Sequence, residues 1–201
     1  SEVFSITNSK QGIWISKRFG IYYFDGLKWQ AYDINGFINK PTLGNRYYLG
    51  KIISTDRNMI SGFKYKVYFE VDLTTKQFTF KEFDSEIVSS LNIANYTWIA
   101  TKNGLYKFDD FELKNNEFKH ILGDKDIKCI EFFDRRLFVS TNNSGVYVIK
   151  NDSIEQVLYE GNQIENANFS KSNEFIWIYS TTGTFKMKIG ESKIDRLHAF
   201  E

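Results

Sequence analysis

The stretch "GIWISKRFGIYYFDG", residues 12–26, contains two short hydrophobic segments separated by Lys17-Arg18-Phe19 and closed by Asp25-Gly26. Alternation in Ile13-Trp14-Ile15-Ser16 and the aromatic run Tyr22-Tyr23-Phe24 suit a pleated strand better than a helix. Asp25-Gly26 suits a hairpin turn, because glycine accepts the positive φ that tight primed turns demand. The flanking residues extend this to four strands: "VFSIT" (3–7), "GIWIS" (12–16), "GIYYFD" (20–25) and "KWQAYD" (28–33). The fold then depends on whether this unit recurs.

It does. "TWIATKNGLYKFDD" (97–110) and "FIWIYSTTGTFKMK" (175–188) keep the six-residue step from Trp to Gly seen between Trp14 and Gly20, as Trp98 to Gly104 and Trp177 to Gly183. In "LFVSTNNSGVYVIK" (137–150), Phe138 replaces Trp and Gly145 follows seven residues later. The steps Trp98 to Phe138 and Phe138 to Trp177 are 40 and 39 residues, and Trp14 to Trp98 is 84, twice 42. A degenerate copy therefore belongs in the gap, with Ile60 at the Trp position and Lys66 where Gly is expected.

Four antiparallel strands every 40 or so residues is the signature of a propeller blade. The expected fold class is all-β: a β-propeller of about five four-stranded antiparallel blades near 1–34, 47–84, 87–121, 126–160 and 164–201, closed on itself or an arc of a larger ring. Second strands are expected near 12–16, 58–63, 96–101, 136–141 and 175–180, with little or no helix. Both faces of a blade pack on neighbours, which accounts for an aromatic content of 17% and assigns Trp14, Trp98, Phe138 and Trp177 as fillers between blades.

The runs Ile13-Trp14-Ile15-Ser16 to Gly20-Ile21-Tyr22 and Trp98-Ile99-Ala100-Thr101 to Asn103-Gly104-Leu105-Tyr106 resemble the two-component regulator propeller repeat. That resemblance implies the periplasmic sensor domain of a hybrid two-component regulator, often one that detects oligosaccharides. It also implies a periplasmic or extracytoplasmic location, a homodimer formed through the parent protein, and a membrane span and kinase following in that parent. The chain departs from the family in repeat number, since its sensors usually carry many more than five repeats, commonly in rings of seven or so blades.

Composition narrows the function classes. With 26 Lys plus Arg against 25 Asp plus Glu, there is no excess charge for a nucleic-acid groove, and no nucleic-acid partner is expected. No apolar run approaches the length of a membrane span, so no membrane insertion by this segment is expected. The chain lacks an initiator Met and reads as a processed or excised piece. Cys129 is the single cysteine, so the fold is expected to hold by packing alone.

Motifs for catalysis are scarce. His120 and His198 are the two histidines and suggest edge positions rather than a metal or triad site. Asp124, Asp126 and Glu165 precede innermost strands and are the carboxylates a five-bladed glycoside-acting enzyme would use. "GDKDIK" fails as a calcium loop because its alternating oxygen ligands stop after two. Four Asn-x-Ser/Thr sequons, at Asn95, Asn142, Asn151 and Asn168, arise easily in so Asn-rich a chain. No cofactor and no metal are expected.

Binding is the stronger reading. "DINGFINKPTLGNRYYLG" (33–50) is longer than a blade change needs and carries Phe37, Pro41, Arg46, Tyr47 and Tyr48. It shares a face with the second-to-third-strand turns Lys17-Arg18-Phe19 and Lys64-Tyr65-Lys66. Arg18, Phe19, Arg46, Tyr47, Tyr48 and Tyr65 are thus the expected ligand-binding residues, for an oligosaccharide or other small ligand. A protein-interaction scaffold is the alternative, and a glycoside-acting enzyme the third reading.

Overall fold

The structure is a computed structural model that describes residues 3–9, 12–17, 20–32, 51–54, 59–72, 74–75, 77–109, 113, 115 and 117–197. Its strands form five antiparallel sheets, each in chain order. The first holds β1 (Val3–Ser9), β2 (Gly12–Lys17), β3 (Gly20–Phe24) and β4 (Trp29–Tyr32). The second holds β5 (Lys51–Ser54), β6 (Met59–Lys64), β7 (Val67–Asp72) and β8 (Phe78–Glu82). The third holds β9 (Ile87–Ile93), β10 (Tyr96–Thr101), β11 (Gly104–Phe108) and β12 (Lys119–Ile121). The fourth holds β13 (Ile127–Phe133), β14 (Arg136–Thr141), β15 (Val146–Lys150) and β16 (Ser153–Tyr159), with the two-residue β17 (Asn162–Gln163) added at its edge. The fifth holds β18 (Asn168–Lys171), β19 (Phe175–Ser180), β20 (Gly183–Lys188) and β21 (Ile194–Leu197).

All five second strands lie within a residue or two of their expected positions. After β11 the Leu113 N–H donates to the Asp109 carbonyl at 2.9 Å, and Leu113 is buried.

Blade packing has a direction. Each second strand points alternate residues forward to the next blade and backward to the previous one, as the two-residue strand period requires. Trp14 and Ile21 of the first blade meet Ile52, Ile60, Phe69 and Val71 of the second. Phe63 and Tyr68 of the second meet Ile99 and Phe108 of the third. Trp98 and Leu105 then meet Leu137, Val139 and Ile149, and Phe138 and Val146 meet Ile176, Ile178, Phe185 and Met187. Large fillers thus face forward at every internal boundary, and the second strand behind each presents aliphatic side chains backward, Ile60 in the second blade, Ile99 in the third, Leu137 and Val139 in the fourth and Ile176 and Ile178 in the fifth.

This direction corrects the reading of the second blade. Ile60 faces backward in the cluster with Trp14, and the third position of β6, where Trp14, Trp98 and Phe138 sit in their own strands, is Ser61. The third strand of that blade begins at Val67, so Val67 rather than Lys66 takes the place of Gly. Ser61 is fully buried and accepts a hydrogen bond from Asn92 Nδ2 at 3.2 Å, while Asn92 Oδ1 accepts from Thr97 Oγ1 at 3.0 Å. Tyr68, also fully buried, donates to Glu70 Oε1 at 2.7 Å. A polar chain here occupies a position that Trp or Phe fills elsewhere.

Among the described residues the fifth sheet does not close on the first, and the sheets form an open arc. Trp177 consequently differs from the other fillers: Trp14 and Trp98 are 8% and 7% exposed and Phe138 is fully buried, whereas Trp177 is half-buried on an uncovered forward face.

A repeated side-chain device explains why Thr or Ser recurs three or four residues before the Gly of the motif. Thr101, Thr141 and Ser180 each donate a hydroxyl hydrogen bond to a glycine carbonyl, of Gly104, Gly145 and Gly183, at 2.9, 2.8 and 3.1 Å. A side chain from the fourth strand then crosses over that glycine to the carbonyl just before it. His120 Nε2 reaches Asn103 O at 2.9 Å, Gln156 Nε2 reaches Ser144 O at 2.9 Å, and an Arg196 nitrogen reaches Thr182 O at 2.7 Å. A Cβ on Gly104, whose φ is +106°, would lie 2.4 Å from His120 Nε2, which is why no larger residue fits there. His120 is therefore a turn lock, as its expected edge position allowed; His198 lies outside the described residues.

Candidate functional site

Two turns of the fourth blade shape the candidate site. Asp134-Arg135, between β13 and β14, and Asn151-Asp152, between β15 and β16, have positive φ at both residues, 51° and 56°, then 47° and 63°. This is the primed-turn backbone that twisted hairpins prefer. It projects Arg135 and Asn151 from the face that carries first-to-second and third-to-fourth-strand turns.

Arg135 and Asn151 are shared by two crevices. The smaller, about 210 Å³, lies between the third and fourth blades and is walled by Tyr96, Trp98, Phe132 and Ile149. The larger, about 710 Å³, lies between the fourth and fifth blades and is lined by polar groups that include Lys150, Ser153, Glu155, Gln156 and Ser192. The two flank opposite faces of the fourth blade and meet only at its Arg135 and Asn151 turns; Tyr96, 40% exposed, borders the smaller, and the larger reaches the fifth blade.

The electrostatics are local. Lys107 Nζ lies 4.2 Å from the Tyr96 ring centroid and 5.3 Å from that of Trp98, and 3.5 Å from Asp152. Lys119 lies 3.2 Å from the same carboxylate. The hydrogen bond from Lys119, then the charges of Lys107 and Lys119, hold the Asp152 carboxyl below its ordinary range, so it is an anion at neutral pH.

Arg136 forms the floor of the larger crevice and is 6% exposed. It pairs with Asp134 at 2.8 Å and donates to the Glu191 carbonyl at 2.6 Å, while Asp134 also accepts from the Gly190 N–H at 2.9 Å. These bonds fasten a turn of the fourth blade to a turn of the fifth. Arg136 is therefore structural, and Arg135, one residue earlier, is the arginine that borders both crevices.

The smaller crevice can stack a flat or ring-shaped group on Tyr96, and Lys107, Arg135 and Asn151 at its edge can hydrogen-bond hydroxyls or carboxylates. Among the described residues no three His, Cys, Asp or Glu side chains cluster as metal ligands do. Asp126, one of the carboxylates considered for catalysis, accepts from Asn142 Nδ2 at 2.9 Å. Asp124 sits in a turn with φ of 64°, and Glu165 is exposed.

Of the residues expected to bind ligand, Arg18, Phe19, Arg46, Tyr47 and Tyr48 lie outside the described residues, as do Phe37 and Pro41. Tyr65 is described. It is 63% exposed at a φ of 54°, with Lys66 Nζ 5.8 Å from its ring centroid. Its carbonyl accepts from the Ile87 N–H at 2.6 Å, which ties this turn to the start of the third blade. Tyr65 and the Arg135 crevices are on opposite faces. The signal for the crevices was the pair of primed turns in the fourth blade, with Asn151 considered only as a sequon.

No family model matches the chain, and no curated protein matches it. Solved structures are similar in fold. The computationally designed Ika8 protein aligns over 98% of this chain and 62% of its own length, with a TM-score of 0.70 and 14% identity. The extracellular domain assigned to the hybrid two component system BT4673 of B. thetaiotaomicron aligns over 100% of this chain and 28% of its own, with a TM-score of 0.66 and 15% identity. YCF48 bound to D1 peptide aligns over 97% and 66%, with a TM-score of 0.64 and 10% identity. At these identities the likeness concerns the propeller fold, and the chain spans only part of each of these proteins.

Proposed function

We propose that this chain is the non-catalytic, ligand-sensing part of an extracytoplasmic two-component receptor, and that a glycan lies in the crevices flanking Arg135 and Asn151. The observation that carries this reading is the pair of crevices that share Arg135 and Asn151: an exposed aromatic ring borders the smaller, neutral and charged hydrogen-bonding groups line the larger, and both shared residues stand in turns with positive φ. The repeat motif and the fold likeness to an extracellular sensor domain support the sensing role.

Isothermal titration against a panel of neutral and uronic-acid oligosaccharides tests it. Tyr96→Ala and Arg135→Ala each lower affinity at least tenfold, about 1.4 kcal/mol. Undiminished binding by both variants removes the crevices from the account. Loss of binding in a combined Arg18→Ala, Arg46→Ala, Tyr47→Ala, Tyr48→Ala variant instead moves the site to the opposite rim.

A further inference from the structure

Positive charge gathers where the two crevices meet. β14 begins at Arg136 and β15 ends at Lys150, one step beyond the Leu137–Ile149 pair in that register, so two cations stand side by side on neighbouring strands. Like charges placed in this way destabilise a sheet. Arg135 adds a third cation from the adjoining turn.

The nearby carboxylates do not balance them. Asp134 is taken by Arg136 at 2.8 Å and by the Gly190 N–H at 2.9 Å. Asp152 is taken by Lys107 at 3.5 Å and by Lys119 at 3.2 Å. Glu155, the other carboxylate on the larger crevice, stands opposite Val148 and forms no ion pair with Arg135 or Lys150. Among the described residues these two cations are left without a carboxylate partner, and the Nε of Arg136 is buried with no hydrogen-bond partner. Arg135 is also costly where it stands. Its φ of 56° lies in the left-handed region, which glycine and asparagine enter with less strain than a long side chain. Residues held in such backbone concentrate at ligand clamps.

We propose that this cationic corner selects an acidic sugar, whose carboxylate or sulfate ester binds between Arg135 and Lys150 while its neutral part extends toward Tyr96. The inference rests on a glycan occupying these crevices and adds the charge of that glycan. The guanidinium of Arg135 forks onto two oxygens of the anion, and Lys150 adds a point charge from the neighbouring turn. The bound anion also offsets the repulsion between Arg136 and Lys150.

Isothermal titration of a uronic-acid oligosaccharide and of its methyl ester, which keeps the rings and hydroxyls but removes the charge, tests this. A sulfated oligosaccharide and its desulfated form make a second pair and separate the two sources of the anion. The wild type is expected to prefer the charged member of at least one pair by about tenfold at low salt, a preference that shrinks as salt is added. Arg135→Gln and Lys150→Gln each lower that preference about threefold, whereas Arg135→Lys retains most of it. Thermal unfolding checks that the variants stay folded. Equal binding of both members of both pairs by the wild type overturns the selection of an acidic sugar while leaving a glycan site in place. A preference that survives both Gln substitutions has the same consequence, as does an oligoglutamate peptide that binds as tightly as the charged sugar. Failure of every sugar to bind, charged or neutral, removes the glycan site and this inference with it.

Discussion

Gly104 and His120 show how a repeat motif encodes a contact between distant positions. The imidazole lies over the glycine and bonds the carbonyl before it, so each residue is adapted to the other. Losing the bond in His120→Ala costs about 1 kcal/mol. Gly104→Ala costs more, because it combines the positive φ with the steric clash, and in a His120→Ala background it costs less than in the wild type. A denaturant double-mutant cycle is expected to give coupling above about 0.5 kcal/mol, and additive losses would separate the two residues. Tryptophans are equally position-dependent. Trp98→Ala is expected to lose about 3 to 5 kcal/mol, as core aromatic truncations do, and Trp177→Ala less than half of that.

At the scale of the blade, the second is the one whose sequence departs from the repeat. The period of 39 to 42 residues and four of the five Trp/Phe positions were legible in the sequence because each large filler is followed by its glycine. In the second blade the apolar Ile60 drew the alignment one residue early, and in a strand a one-residue slip exchanges the two faces. Ser61 is hard to recognise as the filler position, because one of its hydrogen-bond partners, Asn92, belongs to another blade and the other, Tyr68, lies on the neighbouring strand. The smaller crevice was hidden for a similar reason: Tyr96, Arg135 and Asn151 are brought together by turns of two blades and share no sequence motif. Restoring the repeat by Ser61→Trp is expected to destabilise the chain by about 1 to 3 kcal/mol in urea unfolding, since the space is already filled. Burial, reinforced by the Glu70 charge, pushes the Tyr68 hydroxyl well above the ordinary tyrosine range. The unfolded chain therefore loses this proton first, and stability that is complete below about pH 10 declines as the pH rises further. Tyr68→Phe is expected to flatten that alkaline decline, and an unchanged slope would mean that other groups cause it.

For the whole molecule, the central claim is an arc of five blades with a forward face left open at one end and a backward face at the other. The alternative raised by the sequence, a closed five-bladed ring, would cover both faces and shield Trp177 as thoroughly as Trp98. Hydroxyl-radical footprinting, read residue by residue at a dilution where the chain is monomeric, distinguishes the two most directly. The arc predicts strong oxidation of Trp177, Tyr179, Trp29 and Ile13 with protection of Trp14, Trp98 and Phe138. Protection of Trp177 equal to that of Trp98 in the monomer would contradict it.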